Sequence, residues 1–389
     1  MKTTVELFAG IGGFRLAADR KGIRTVWAND HSPKSAKVYR SQFGSKELHE
    51  GDIRTQWQEI PRHDLLTAGF PCQPFSSAGK KQGIKDPRGT LFSYVVETLR
   101  THNPKYFVLE NVKRLLTMDR GIHFATILVS LAELDYLIEW RLLNAVDFGL
   151  PQNRQRVVIV GVRSDLASSS NGRRVLPVRL ATPEDLSQLS GDELDWICTP
   201  EDWRDIGSHG VRFPNWGLAR SGTFFSAGLK DFSERRTPIK LRQVLQKKVS
   251  AKFDFTESTL ERIGNSVQVN KFVEGVEILS NQKGGARMGY TVFGIDGVAP
   301  TLTATASRHY ERYKVRNKYR RLTNLEYARI QGFPDDHCSA VSVYDQYALY
   351  GNAVPPPLVQ WVLDRLTKKR FSIERVPRKQ RQKELFVDA

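Results

Sequence analysis

A cysteine held between two prolines is the first place in this chain where chemistry is legible. In Gly69-Phe70-Pro71-Cys72-Gln73-Pro74-Phe75-Ser76 the prolines forbid a regular helix or an interior strand. Cys72 therefore sits on a stiff loop, where its thiol is a candidate nucleophile rather than only a small buried hydrophobe. A carboxylate, Glu110, follows the apolar run Tyr106-Phe107-Val108-Leu109 and precedes Asn111-Val112. In Gln152-Asn153-Arg154-Gln155-Arg156 the two arginines alternate, so a strand would throw Arg154 and Arg156 to the same side. Each of these also has an ordinary reading in isolation: a core cysteine, a surface carboxylate, a pair of solvated arginines.

A second constellation lies near the N-terminus. Val5-Glu6-Leu7-Phe8 reads as a strand, Ala9-Gly10-Ile11-Gly12-Gly13 as a tight glycine loop, and Phe14 opens a helix. Glycines permit positive φ and close backbone approach, and the helix N-terminus offers free N–H groups to a polar ligand. The spacing is not the Gly-x-Gly-x-x-Gly of dinucleotide sites, so a pyrophosphate is not indicated. Asp30 falls twenty residues after Gly10, just past the second strand, where a carboxylate accepts hydrogen bonds from ribose hydroxyls. Asp52, in Gly51-Asp52-Ile53, is placed to take an adenine amino group. The set suits a nucleoside cofactor without a diphosphate, of which S-adenosylmethionine is the commonest.

The elements that must position these residues alternate between β-rich runs and helical stretches over the first 165 residues, which predicts an α/β fold with a largely parallel sheet covered on both faces. Strands are expected at 3–8, 25–29, 65–68, 106–109, 137–142 and 156–162, the last two forming an antiparallel hairpin through Phe148-Gly149-Leu150-Pro151. Cys72, Glu110 and the glycine loop then share the carboxyl edge of the sheet, where open α/β sheets bind ligands. Near Asp165 the composition shifts to Ser, Asn and Arg and the alternation stops, which marks a domain boundary. Residues 166–315 are expected to form a smaller, irregular domain, 316–370 a return to the first, and 371–389 a basic tail. Thr323 and Glu326 have capping-box spacing and should open a helix running to about Ile330.

At 389 residues the chain is long enough for two lobes, and no stretch approaches the roughly 18–20 apolar residues of a membrane span. The N-terminus carries no export signal, so the expected location is the cytoplasm. Three cysteines without metal-ligand spacing predict neither a disulfide framework nor a metal site. The net charge of +17 concentrates polyanions, so nucleic acid is the natural partner. Part of that charge is a basic run from Arg365 to Lys383, broken by one carboxylate, Glu374.

Taken together, Glu6-Leu7-Phe8-Ala9-Gly10-Ile11-Gly12-Gly13-Phe14, Pro71-Cys72-Gln73, Glu110-Asn111-Val112 and Gln152-x-Arg154-x-Arg156 resemble successive signature blocks of the cytosine-C5 DNA methyltransferases, the bacterial restriction-modification type. Arg320-Arg321-Leu322-Thr323, Gln331-Gly332-Phe333-Pro334-Asp335 and Gly351-Asn352-Ala353-Val354-Pro355 resemble the closing blocks, in the same order. The resemblance implies a Rossmann-like methyltransferase sheet with a smaller target-recognition domain, and a methyl transfer from S-adenosylmethionine to C5 of a flipped-out cytosine. Cys72 would add to C6, Glu110 would engage N3, and Arg156 with Arg154 would hold O2. Phe8, Ala9, Gly10, Ile11, Gly12, Gly13, Asp30, His31, Asp52, Ile53, Gly69, Pro71, Gln73, Leu91, Asn352 and Ala353 would line the cofactor pocket. Asp30 departs from the longer Glu common in the family, and His31 stands where a large aromatic often covers the adenine. A second Gly-Asn-Ser-Val at Gly264 mimics the closing block but lacks the preceding Gln-Gly-Phe-Pro.

By the same resemblance, base choice resides in 166–315, where Thr301-Leu302 matches an element that helps hold the flipped base. Ser76, Thr301, Leu302, Arg308 and Arg312 are the expected DNA contacts. The expected partner is duplex DNA, the expected state a monomer, with a cognate restriction endonuclease acting on the same site. An RNA (tRNA) methyltransferase of the same fold, a catalytically silent DNA-binding protein and a nicotinamide oxidoreductase are the rival readings. The long variable segment, the presence of both Cys72 and Glu110, and the missing dinucleotide fingerprint weigh against them in turn.

Overall fold

A computed structural model describes residues 1–71, 90–167, 176–197, 203–208, 212–230, 232–282, 288–303, 311–368, 371–373 and 386–388. Its centre is a ten-stranded sheet. Seven strands, β1 (Thr3–Leu7), β2 (Arg24–Asp30), β3 (Leu48–Glu50), β4 (Leu65–Ala68), β5 (Tyr106–Val112), β6 (Tyr136–Asn144) and β7 (Gln155–Arg163), stand in the order β3-β2-β1-β4-β5-β7-β6. Pairing is parallel from β3 to β5 and antiparallel from there on. The six strands expected from alternation are all present, including the terminal hairpin. β3 was not expected, because three residues carry too little pattern to be seen.

Alternation along β7 shows how both faces are filled. Val157 and Ile159 point to the layer of the helices Phe92–His102 and Ile122–Ala132. Val158, Val160 and Val162 point to the layer of the helices Gly13–Asp19 and Pro356–Lys368. A strand buried on both sides reads as a continuous apolar run, as Val157 to Val160 does. The helix Asn324–Gln331 begins with the expected capping box: the Thr323 hydroxyl accepts the Glu326 N–H, and the Glu326 carboxylate accepts the Thr323 N–H at 2.8 Å.

The compositional break near 165 does not end the main sheet. Trp216–Arg220 pairs antiparallel with β6, and Thr223–Ala227 and Arg204–Asp205 continue outward. What separates instead is a five-stranded sheet of Val267–Val273, Val276–Asn281, Thr291–Phe293, Arg312–Val315 and Lys318–Arg320. It joins the main body where Ala299 exchanges backbone hydrogen bonds with Pro151 and Asn153, both 2.8 Å. Among the described residues no helix is long and apolar enough to cross a membrane.

Candidate active site

The parallel half of the sheet ends in the loops that build the site. After β1, Phe8 takes a positive φ of 54°, followed by Gly10 at 56° and Gly12 at 80°. The loop is tied at each step: the Ala9 N–H donates to Asn29 O at 2.9 Å, and the Gly12 N–H folds back to Ala9 O at 2.9 Å. The Gly10 N–H donates to Asp30 Oδ2 at 2.7 Å, and the Ser32 N–H to Asp30 Oδ1 at 2.8 Å. Side chains are excluded from the turn by contact. A Cβ on Gly12 would lie 2.3 Å from the Phe43 ring, and one on Gly13 2.5 Å from Val354 O.

Two adjoining cavities open over this loop, sharing Phe8 and His31 in their walls. The smaller, about 360 Å³, is lined by Asn29, Asp52, Ile53, Thr90, Leu91 and Tyr94 among others. The larger, about 630 Å³, runs from the glycine loop past Asp30 and Gly69-Phe70-Pro71 to Glu110, Arg156 and the Gly351-Asn352-Ala353 turn. Asp30 is buried, and burial raises its pKa against the two backbone N–H groups that favour its charged form. Each of its oxygens takes one N–H and keeps a lone pair for a further donor, which suits a ribose diol. Asp52 caps the short helix Ile53–Gln56 and is hydrogen-bonded by the Arg54 guanidinium, which holds its carboxyl below the usual range. An apolar slot of Phe8, Ile53 and Leu91 flanked by carboxylates accommodates a nucleoside bearing a sulfonium.

Of the residues expected around the cofactor, Gly12 forms the turn without lining either cavity, and Gln73 lies outside the described residues; the others line one or the other. His31 is exposed at the rim, its side chain 77% accessible. Sequence reasoning missed Asn29, Thr90, Tyr94 and Tyr344. Asn29 directly precedes Asp30 and could have been found from the end of its strand, whereas Tyr344 arrives from a distant helix and carries no local signal.

The reacting edge is built on β4, β5 and β7. Glu110 near the end of β5 and Arg156 at the start of β7 form an ion pair of 2.8 Å (Nε to Oε1), with both side chains largely buried. Burial lowers the Arg156 pKa, and the Glu110 carboxylate opposes that shift. Gly69, without a side chain, leaves open the approach to the second oxygen, Glu110 Oε2, 3.6 Å from where its Cβ would be. The next residue on β5, Asn111, donates from Nδ2 to Phe70 O at 2.9 Å and thereby pins the backbone just before Cys72. Cys72 and Ser76 lie outside the described residues. Of the three cysteines Cys338 alone is described; burial pushes its thiol up to about 12, so it is inert.

The paired arginines do different jobs. Arg154 donates from Nη1 to Leu302 O at 3.0 Å and from Nη2 to Gly351 O at 2.8 Å and Ala353 O at 3.0 Å. It is buried, and its pKa falls to about 9 through burial and the neighbouring Arg156. The expectation that Arg154 helps hold substrate O2 therefore needs correcting: its two Nη atoms bind three backbone carbonyls, its Nε is buried, and it lines neither cavity, so it acts as a strut between loops. Gln152 reinforces the same junction, accepting the Leu302 N–H and donating to Gln331 Oε1, each at 3.0 Å. Thr301 is fixed by its hydroxyl donating to Asn153 O at 2.7 Å.

Arg308 lies outside the described residues. Arg312, expected as a DNA contact, is 5% exposed on an inner strand of the second sheet, and this burial removes it from a DNA-facing surface. The look-alike Gly264 ends a separate helix, Glu257–Gly264, and lines neither cavity described above.

The strand order with a single antiparallel insertion, the glycine loop and the carboxylates around a nucleoside-sized cavity define an S-adenosylmethionine-dependent methyltransferase. Two solved structures share the fold. They are the Dnmt2 methyltransferase of S. pombe (18% identity, TM-score 0.59, covering 93% of this chain and 97% of that one) and a mutant DNMT2 of Spodoptera frugiperda (19%, 0.61, 95% and 100%). The chain belongs to the C-5 cytosine-specific DNA methylase family, whose model matches residues 2–368. It is 30% identical over 363 residues to the Type II methyltransferase M.HhaI of Haemophilus parahaemolyticus, covering 92% of each chain. It is 31% identical over 371 residues to M1.ScrFI of Lactococcus lactis, covering 93% of this chain and 77% of that one. A 167-residue segment is 47% identical to M.NgoBI of Neisseria gonorrhoeae, covering 43% of this chain and about half (52%) of that protein.

Proposed function

We propose that this enzyme methylates C5 of one cytosine in a short duplex DNA site, as the modification enzyme of a restriction-modification system. The observation that carries the reading is the Glu110–Arg156 pair, set beside the Phe70-Pro71 backbone that delivers Cys72 and in the wall of the cavity next to the cofactor loop.

C5 of cytosine is too weak a nucleophile to attack a methyl sulfonium unaided. Cys72 adds as thiolate to C6, forming an S–C6 bond and pushing electron density to C5. Glu110 shares a proton with N3, and Arg156 holds O2, so the charge that develops meets preorganised partners. Phe8, Asp30, Asp52, Ile53 and Leu91 would hold the cofactor, which when bound would supply an electrophilic methyl group, its S–CH3 bond breaking as the C5–CH3 bond forms and S-adenosylhomocysteine leaving. After transfer a base removes the C5 proton, and the S–C6 bond breaks to release the thiolate. Duplex stacking blocks all of this, so the cytosine must swing out; DNA methyltransferases are among the enzymes for which such base flipping is described. The five-stranded sheet, whose last strand Lys318–Arg320 runs past the expected boundary at 315, and the segments around it form the recognition lobe, with Thr301 and Leu302 beside the flipped base. The excess of basic residues supplies the phosphate attraction. We further propose that the protein works as a monomer in the bacterial cytoplasm, sharing its site with an endonuclease it does not touch.

Incubation with tritiated S-adenosylmethionine and duplex DNA tests the reading. Acid-stable label should appear on cytosine C5 and vanish in Cys72→Ser. Label on tRNA without label on duplex DNA would overturn it.

A further inference from the structure

We propose that His337 is a positioning residue for the cofactor, acting through the backbone of the glycine loop. The residue lies between the helices Asn324–Gln331 and Val343–Asn352, more than three hundred positions from that loop in sequence, and is fully buried. Its Nε2 stands 2.7 Å from the carbonyl oxygen of Ile11. A carbonyl only accepts, so Nε2 carries the proton, and burial lowers the ring's pKa, which keeps it neutral near pH 7. Nδ1 is then a bare lone pair, without a partner among the described residues.

The ring's surroundings show why this one bond matters. Its neighbours are Phe333, at 4.7 Å between ring centroids, and Phe43, at 6.0 Å. Phe43 also packs on Gly12, so the histidine and the glycine turn share one apolar wall. The Ile11–Gly12 peptide is thus held at both ends: its oxygen by His337, and its N–H by Ala9 O. Ile11 and Gly10 line the cofactor cavity, whereas His337 does not reach it. Without the imidazole N–H, the Ile11 carbonyl would be buried with no donor, and the peptide would turn to find one, moving the loop that cradles the cofactor. His337 therefore tunes cofactor affinity from behind the pocket, with no part in base chemistry.

Two isopolar substitutions separate this role from general packing. In His337→Gln the amide nitrogen reaches about as far as Nε2, whereas in His337→Asn it falls short by one methylene. Calorimetric titration with S-adenosylhomocysteine should give His337→Gln a Kd within about threefold of the unaltered enzyme, and His337→Asn a Kd about tenfold weaker, the scale of one buried hydrogen bond. KM for DNA, and kcat at saturating cofactor, should be unchanged in both. Equal Kd values in the two variants, or a KM for DNA that rises in step with the Kd, would overturn the proposal. Independently of either variant, nitrogen NMR of the unaltered protein should find His337 protonated at Nε2; protonation at Nδ1 alone would overturn it as well.

Discussion

The two halves of the main sheet teach different lessons about buried polar groups. Among the described residues, every sheet strand that contributes to the cofactor cavities belongs to the parallel half, β7's Arg156 excepted. Parallel strands need long crossovers, so their loops gather at one edge, and polar groups there are left with spare capacity: Asp30, Asp52, Glu110. The antiparallel half closes on itself. Glu139 on β6 accepts from the Arg179 N–H at 2.6 Å, the Ala181 N–H at 3.1 Å and the Trp216 indole at 2.8 Å. Arg141, also on β6, meets Asp185 in a buried ion pair. These groups fasten the segment 176–186 to the sheet rather than face a ligand.

Disturbing each half should separate rate from stability. The largest effect is expected in the parallel half, where Glu110→Gln should lower kcat by about 10²–10³, the scale of one lost transition-state partner, and should cost less stability than a broken pair in the antiparallel half, because Arg156 lines the open cavity where water can reach it. Next comes Asp185→Asn in the antiparallel half, expected to cost about 3 kcal/mol of stability by denaturant titration, because it removes the carboxylate that pairs with the buried Arg141 guanidinium. In that variant kcat and cofactor affinity should hold. Burial tends to raise the Asp185 carboxyl, but the hydrogen bond and charge of Arg141 outweigh it and hold the group below its ordinary value. The pair's contribution is therefore complete above that ordinary value near 3.8 and fades as the pH falls through the lower folded-state value. Asp185→Asn should flatten that acid-side loss.

A smaller effect returns to the cofactor edge. Gly13→Ala, whose methyl meets Val354 O, should weaken cofactor binding by about tenfold, the lower end of overpacking costs. The smallest is expected for the ion pair of Lys34 with Asp345 at the cavity rim, 2.5 Å but largely solvated on the lysine side. Lys34→Met should shift stability by no more than about 0.5 kcal/mol, and less at high salt. A Lys34 effect rivalling that of Asp185 would break the contrast between the two halves.

The same division runs through what was legible beforehand. Strand ends and turns in the parallel half are written locally, in apolar runs followed by Gly, Asp or Glu, so the glycine loop, Asp30 and Glu110 were placed correctly at one edge. Partners that arrive from far along the chain were not legible. Arg154 and Arg156 share an alternation, yet only the fold brings the Leu302 and Gly351 carbonyls to the first and Glu110 to the second. Trp216–Arg220 and Thr223–Ala227 flank Ser221-Gly222, both at positive φ, a hairpin signal in its own right. Its docking onto β6 had no counterpart in local pattern. Arg312 shows the same limit, since a basic residue in a basic run says nothing about burial.

The central claim is that a thiol on the loop after β4 bonds to the substrate ring beside the Glu110–Arg156 pair. Duplex DNA carrying 5-fluorocytosine at the target position, incubated with enzyme and S-adenosylmethionine and digested for mass spectrometry, tests it most directly, because fluorine at C5 cannot leave as a proton does. A stable adduct on the peptide containing Cys72 is the predicted result. Turnover of unmodified DNA with no such adduct, or a methyl group found on the exocyclic nitrogen instead of C5, would contradict it.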